Sequence, residues 1–179
     1  MRKFFTLFLC VLMLSGCGRK KAEAVSGITA YEGYYKAIED NDRFQNSSSY
    51  YKISAEMAQV ADGSYRYYVF LDDVQIAMYD VVMMAVENKT VLSEAAKMMP
   101  SIGVFEKTDY SLIPFQARPE KGFVKGLVIS GECPEPQVNL RLMVEWRDKS
   151  RENSYREYIE IPLDQDGFAS AGYRAGEGE

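Results

Sequence analysis

The sequence of 179 residues contains no histidine. This absence excludes Ser-His-Asp and Cys-His catalysis, zinc sites with histidine ligands and pH switches based on imidazole protonation. The chain also has none of the paired Cys-x-x-Cys motifs that bind zinc or carry out redox chemistry. We therefore expect no metal, no cofactor and no catalytic residue of these classes.

Cysteine is scarce, with residues at positions 10, 17 and 133 only. Cys10 and Cys17 lie close to the N-terminus, so Cys133 is the single thiol of the remaining chain. One thiol cannot form an internal disulfide, and the domain must be stabilised by its hydrophobic core. Cys133 precedes a proline and has no neighbouring base, so we do not expect it to be a catalytic thiol.

The apolar run near the N-terminus, Phe4 to Leu14, covers only eleven residues. A helix that crosses a bilayer needs about twenty apolar residues, so this run is too short to be one. Arg2 and Lys3 precede it, and the small residues Ser15 and Gly16 follow it. A basic start, a short apolar core and small residues at its end are typical of a secretory signal peptide. We predict a signal peptide over residues 1–16.

The sequence Leu14-Ser15-Gly16-Cys17 resembles the lipobox of bacterial lipoproteins. The resemblance implies cleavage between Gly16 and Cys17 and a diacylglycerol on the Cys17 sulfur. Two acyl chains hold a protein stably on a membrane, whereas one does so only marginally. It thus predicts a cell-membrane protein, lipid-anchored on the extracytoplasmic face. The alternatives are an ordinary secretory signal with a chance cysteine and an uncleaved signal anchor.

The formal net charge is −5, and loss of Arg2 and Lys3 with the signal peptide would make it −7. An acidic domain repels a phosphate backbone, so we expect no nucleic-acid partner. The short basic sequence Arg19-Lys20-Lys21 would instead favour anionic lipid headgroups beside the anchor. The small, mixed residues that follow predict a flexible lipidated tether over residues 17–30.

Residues 31–49 are predicted to form a short helix and a loop. Tyr31, Tyr34, Tyr35 and Ile38 recur at spacings of three and four, which indicates an amphipathic helix within 31–44. The pattern leaves open whether this helix docks on the domain or forms a stalk. The polar cluster Asn46–Ser49 marks the loop.

Residues 50–172 show the period of two that is typical of strands, and 173–179 are predicted to be a disordered tail. Asp62-Gly63 predicts a hairpin turn. Val74 to Glu87 is apolar on both faces, which favours a central strand with a bulge or break at Asp80. Val138 to Trp146 alternates cleanly, with one face buried and the other largely wet. About seven such strands predict a mainly β fold, an antiparallel β-sandwich, with an open barrel as the main alternative.

The segment 82–161 resembles the telokin-like, immunoglobulin-like domains of bacterial lipoproteins. The matching pieces are Val86–Thr90 at a strand end, Glu120–Gly126 at a strand start and the Val138–Trp146 alternation. The resemblance implies an immunoglobulin-like sandwich that contacts envelope components without catalysis. The cysteine pair and the tryptophan spacing of antibody domains are missing.

Three sets of residues were weighed as functional sites. Tyr65 and Tyr67 share one strand face and could present a ligand-facing aromatic surface, although tyrosine also favours strands as a core residue. Asp72-Asp73 could contribute carboxylates to glycan hydrolysis, but the pair is more typical of a hairpin turn. Asp164-x-Asp166-Gly167 fails as a calcium loop, because an EF-hand would need carboxylates where Pro162 and Tyr173 stand.

These observations favour a lipid-anchored extracytoplasmic domain without catalytic activity, which meets an envelope or protein partner outside the membrane. Two alternatives remain open at this stage. One is a carboxylate-dependent hydrolase of cell-wall glycans, and the other is a sugar or small-ligand binding module that uses surface tyrosines.

Overall fold

The computed structural model describes residues 19–165 and 169–171. The predicted signal peptide, the predicted lipid attachment site Cys17 and the predicted tail lie outside these residues. Strands make up 46% of these described residues and helix 14%, so this part of the protein is mainly β as predicted. In chain order the elements are helix α1 (Arg19–Glu39) and strands β1 (Lys52–Gln59), β2 (Tyr65–Asp72), β3 (Tyr79–Glu87), β4 (Ser101–Ile102), β5 (Ser111–Leu112), β6 (Phe123–Val124), β7 (Leu127–Cys133), β8 (Gln137–Arg147), β9 (Ser154–Asp164) and β10 (Ala169–Ala171). Two 3₁₀ turns cover Leu92–Glu94 and Pro119–Lys121.

Two antiparallel sheets of four strands contain all the long strands. The first has the order β10-β1-β2-β7 and the second the order β4-β3-β8-β9, while β5 and β6 form a small parallel pair. The β1–β2 hairpin turns at Asp62-Gly63 as predicted, with Gly63 at a φ of 90°. The Asp62 carboxylate accepts a hydrogen bond from the Ser64 backbone N–H at 3.0 Å and fixes the turn.

The two sheets share one hydrophobic core, an arrangement consistent with a β-sandwich. Alternate residues of β1, β2 and β7 face alternate residues of β3, β8 and β9 across this core. Trp146, Tyr51 and Tyr67 are the largest aromatic side chains buried in it. The described residues form ten strands where about seven were expected. Four of the ten, β4, β5, β6 and β10, have only two or three residues, too few to show a periodic pattern in the sequence.

Strand β3 is covered on both faces, as its apolar sequence predicted. Val81, Met83 and Ala85 face the core between the sheets, whereas the next residues along the strand face a second core under α1. Asp80 has a φ of 51°, and the register with β8 shifts between Tyr79 and Val82. The predicted irregularity at Asp80 is therefore a β-bulge or a similar local break in pairing.

Helix α1 docks on the outer face of the second sheet. Tyr31, Tyr35 and Ile38 are buried there against β3 and against Met143 of β8. The Tyr35 hydroxyl donates to the Thr90 carbonyl at 2.9 Å, and the Tyr31 hydroxyl accepts from a backbone N–H at 2.7 Å. Met143 lies on the face of β8 that was expected to be largely wet, and it is buried because the helix covers it.

The limits of α1 differ from the expected ones at both ends. The helix begins at Arg19, so residues 19–30 are helical where a flexible tether was predicted. Ala22, Ala24 and Ala30 in this segment have the highest intrinsic helix propensity, which accounts for the extension. The helix ends at Glu39, five residues before Phe44. The helix that the structure describes is too polar to qualify as a membrane-spanning segment.

Candidate functional site

A short irregular segment, residues 44–49, is bridged at Gln45 to the outer edge of strand β9. The Gln45 N–H donates to the Tyr158 carbonyl at 2.9 Å, and the Glu160 N–H donates to the Gln45 carbonyl at 3.0 Å. The segment runs parallel to β9 at this bridge. Two backbone hydrogen bonds therefore hold in place a stretch that the sequence indicated only as a loop.

Between this segment and the outer face of the second sheet lies a groove of about 650 Å³. This volume falls within the range of about 300–1,000 Å³ that is usual for small-molecule sites. Its walls contain carboxamides, hydroxyls, one carboxylate and a small apolar area. The residues that supply these groups are Phe44, Gln45, Asn46, Ser47, Ser49, Asn139, Glu160 and Pro162.

Glu160 supplies the one carboxylate among the described residues that line the groove. Its Oε1 accepts hydrogen bonds from Arg141 Nε at 3.1 Å and from Asn139 Nδ2 at 2.9 Å. Partial burial alone would raise the pKa of Glu160, but the bonds from Arg141 and Asn139 lower the pKa below its usual range. Glu160 is thus a carboxylate at neutral pH. The Arg141 guanidinium also lies 4.5 Å from the centre of the Phe44 ring, a cation–π contact.

Asn139 is held in position by the turn that follows β3. Its backbone N–H donates to Asn88 Oδ1 at 2.9 Å, and the Asn88 N–H donates to the Asn139 carbonyl at 2.8 Å. Asn88 has a φ of 52°, a left-handed conformation that asparagine tolerates better than most residues. The side-chain oxygen of Asn139 is buried without a hydrogen-bond partner. The backbone of Asn139 is therefore held by two hydrogen bonds to Asn88, and its buried side-chain oxygen is an unsatisfied acceptor.

The two tyrosines predicted as ligand-facing do not form an exposed platform. Tyr67 is fully buried, and its hydroxyl donates to Glu87 Oε1 at 2.7 Å. Gly131 lies opposite it on β7, where any Cβ would come within 2.3 Å of the Tyr67 hydroxyl. The expectation for Tyr67 is wrong because glycine leaves room for the ring to fold into the core. Tyr65 is partly buried and packs against the same core.

Around Tyr67 lies a buried polar cluster at one end of the sandwich. Lys97 Nζ donates to Glu87 Oε1 at 2.8 Å and also bonds to the Glu132 carbonyl. Burial, followed by the nearby Glu87 charge, raises the pKa of Tyr67 and that of the Cys133 thiol. Cys133 is a buried free cysteine, as expected. Glu87 is buried, so this cluster ties β2, β3 and the loop that carries Lys97 together within the fold.

The acidic pair Asp72-Asp73 does not occupy a hairpin turn, contrary to the expectation. Asp72 ends β2, and the chain then crosses to the other sheet to begin β3. Asp73 has a φ of 46°, as aspartate at a turn often does. Both residues line a second groove of about 560 Å³, with Lys125 on its wall and the fully exposed Phe115 at its rim.

A further aromatic surface lies where β8 ends and β9 begins. Tyr155 stacks on Trp146 with ring centres 5.7 Å apart, and Tyr50 contacts the same indole at 5.6 Å. Tyr50 and Tyr155 are 41% and 47% exposed, so they shield a buried tryptophan and leave their outer faces open. The sequence placed Trp146 in the core but gave no signal for the two tyrosines that cover it.

Within residues 19–165 and 169–171, no group of three Cys, Asp or Glu side chains comes together in a way that could hold a metal ion. The polar groove was not anticipated as a site. Two features of the sequence point to it. Asn139 and Glu160 take outward positions in the alternation of apolar and polar residues along β8 and β9, and the cluster Asn46–Ser49 is polar. Comparisons with protein-family models, with curated proteins and with solved structures give no match.

Proposed function

We propose that this chain is a lipid-anchored extracytoplasmic domain that binds a protein or envelope component without catalysing a reaction. The observation that carries the proposal is the position of α1. The helix begins at Arg19, two residues after the predicted lipid attachment site at Cys17, and it packs on the second sheet through Tyr31, Tyr35 and Ile38. A lipid on Cys17 would thus lie two residues before the start of the helix that packs on the sandwich.

This connection has a mechanical consequence. A helix of 21 residues is about 31 Å long, and its first buried tyrosine, Tyr31, comes after roughly the first 18 Å. The preceding segment would act as a spacer of limited flexibility, which sets the distance of the sandwich from the membrane. A domain that must meet a fixed partner in the envelope benefits from such control, because a restricted position raises the effective concentration at the partner.

We further propose that the sandwich is of the immunoglobulin-like type. Support comes from the resemblance of segment 82–161 and from two four-stranded antiparallel sheets around one core. An experimentally determined structure in which the sheet connections follow another topology would contradict this part of the proposal.

The anchor is tested by expressing the full chain in a bacterium and comparing it with Cys17→Ala. The full chain should partition into the detergent phase, and its mass should show loss of residues 1–16 and gain of a diacylglycerol. The Cys17→Ala chain should stay in the aqueous phase or keep its signal peptide. An unmodified Cys17 in the mature full chain would refute the anchor.

The groove beside β9 also supports binding of a small polar ligand. Its walls offer several hydrogen-bonding side chains within a volume suited to small molecules. The ligand would reach a domain that is held outside the membrane.

A further inference from the structure

We propose that the groove between segment 44–49 and strand β9 binds an uncharged saccharide. The inference deepens the proposed function and rests on it, because it names a ligand for a domain held in the envelope. The groove is distinct from the predicted tyrosine surface at Tyr65 and Tyr67. Charge, the geometry of the strand edge and the types of polar group together carry the inference.

The lining of the groove offers no cation to an acidic ligand. None of the described residues that line it is lysine or arginine. Two cations act on Glu160 from outside the lining: Arg141, which pairs with it at 3.1 Å and contacts the Phe44 ring, and Lys89, whose charge helps to lower its pKa. Sites for phosphates and carboxylates depend on available guanidinium or ammonium groups. The charged group of the lining is the paired Glu160 carboxylate, which accepts hydrogen bonds from hydroxyl groups.

The strand edge argues against an extended peptide. Peptides commonly bind by adding a strand to an open sheet edge, where backbone N–H and C=O groups are free. At this part of β9 the Gln45 backbone already takes both the Tyr158 carbonyl and the Glu160 N–H. A ligand in the groove therefore meets side chains of segment 44–49 in place of a free main-chain edge.

The side chains present are those that suit hydroxyl-rich rings. Gln45 and Asn46 carry carboxamides, which both donate and accept, and Ser47 and Ser49 carry hydroxyls. Both bonds that Glu160 accepts from Arg141 and Asn139 go to Oε1, and none of the hydrogen bonds among the described residues engages Oε2. Oε2 can thus accept from a ligand. Phe44 and Pro162 supply the apolar area on which the C–H face of a sugar ring can pack.

The experiment is a titration of the isotopically labelled full chain in detergent micelles, followed by backbone amide NMR. Cellotriose and the N-acetylglucosamine trimer are the uncharged probes, glucuronic acid is the anionic probe, and an uncharged eight-residue peptide is the extended probe. We expect saturable shifts with at least one trisaccharide, centred on residues 44–49, 139 and 160, and none with glucuronic acid. Free glucose and insoluble wall glycan, used as separate arms, distinguish a soluble sugar from an envelope polymer as the source.

Variants locate the site. Glu160→Gln should weaken saccharide binding roughly tenfold or more, since hydrogen bonds to a charged group are the stronger kind. Glu145→Gln is the matched control, because Glu145 is also paired with an arginine on the same face of this sheet but lies outside the groove. Asn46→Ala and Ser49→Ala change exposed residues, so they should weaken binding without unfolding the chain.

Three results would overturn the inference. They are a flat response to both trisaccharides up to tens of millimolar, equal affinity of the wild-type and Glu160→Gln chains, and groove shifts caused by the peptide alone. Failure of the anchor is separate, because lipidation is measured by mass. An unlipidated chain that binds saccharide would refute the anchor only, and a lipidated chain without groove shifts would refute the saccharide site only.

Discussion

Replacement of Tyr67 by phenylalanine tests whether the buried cluster at Glu87 stabilises the fold. The Tyr67 hydroxyl lies in the core with no exposed surface and donates to Glu87 Oε1 at 2.7 Å. Lys97 Nζ is the second donor to the same oxygen, at 2.8 Å. Phenylalanine keeps the ring and its packing against Gly131, so the change removes the hydroxyl and little else.

The expected loss follows from the character of this hydrogen bond. Hydrogen bonds to charged groups contribute about 1.5–3 kcal/mol to stability, and a neutral pair contributes about 1 kcal/mol. Lys97 still pairs with Glu87 in the variant, but its side chain is 43% exposed and its contribution is screened by water. We therefore expect Tyr67→Phe to lower the free energy of unfolding by about 2 kcal/mol. For a domain of this size, that corresponds to a fall in Tm of about 4–8 °C.

Equilibrium unfolding in urea measures this loss, with the midpoint expected to fall at a constant m-value. Tyr155→Phe is the matched control, because Tyr155 is 47% exposed and its hydroxyl can be solvated by water. Its effect should stay within about 0.5 kcal/mol. If the two variants unfold at the same urea concentration, the Tyr67–Glu87 bond does not contribute as the geometry implies, and the argument for the cluster fails.

Three further predictions concern other parts of the chain. The pKa of Glu160 is lowered from an ordinary value of 4.5. Its charge therefore contributes stability above about pH 4.5, and this stability is lost as the pH falls through the lower pKa of the folded state. Glu160→Gln should flatten the fall of the unfolding free energy at acid pH, which unfolding measured as a function of pH would show. In a chain with Cys10→Ala and Cys17→Ala, where Cys133 is the remaining thiol, a chromogenic disulfide should react only as fast as the domain opens, because the thiol is buried and its pKa is raised. An immediate reaction would contradict this placement. Ile38→Ala should cost about 2–5 kcal/mol in calorimetry, since Ile38 has no exposed surface under the sheet. Ile28→Ala, at a site that is 52% exposed, should cost less than about 0.5 kcal/mol.

Local periodicity was enough to predict the long strands. The alternation from Val138 to Trp146 gives the inward face of β8 correctly, because every second residue from Val138 to Trp146 lies in the core between the sheets. The apolar sequence of β3 predicted cover on both sides, and that cover is the opposite sheet and α1. These features depend on side chains a few residues apart, so a single sequence contains the necessary information.

The inward face of β2 has a signal in the sequence, although both faces carry aromatic residues. Arg66 and Asp72, which are charged, share the face of Tyr68, so alternation favours the other face, with Tyr67, as the inward one. The depth to which Tyr67 is buried depends in addition on Gly131, which is 64 positions further along the chain and leaves space for the ring. The local pattern does not contain that contact between distant strands.

The groove shows how far a candidate site can be derived from one sequence. Arg141 and Glu160 face each other because β8 and β9 pair as a hairpin, and the polar turn between them sets that register. Half of the site therefore follows from a hairpin that the sequence indicates. The other half depends on Gln45, whose backbone bridges to β9 from more than 110 positions away with no strand of its own. Such a bridge leaves no periodic signal, because a single residue supplies it and the polar residues beside it are typical of any loop. A groove built at the join between a regular hairpin and an irregular segment is hidden from pattern analysis, even though its carboxylate and its arginine are not.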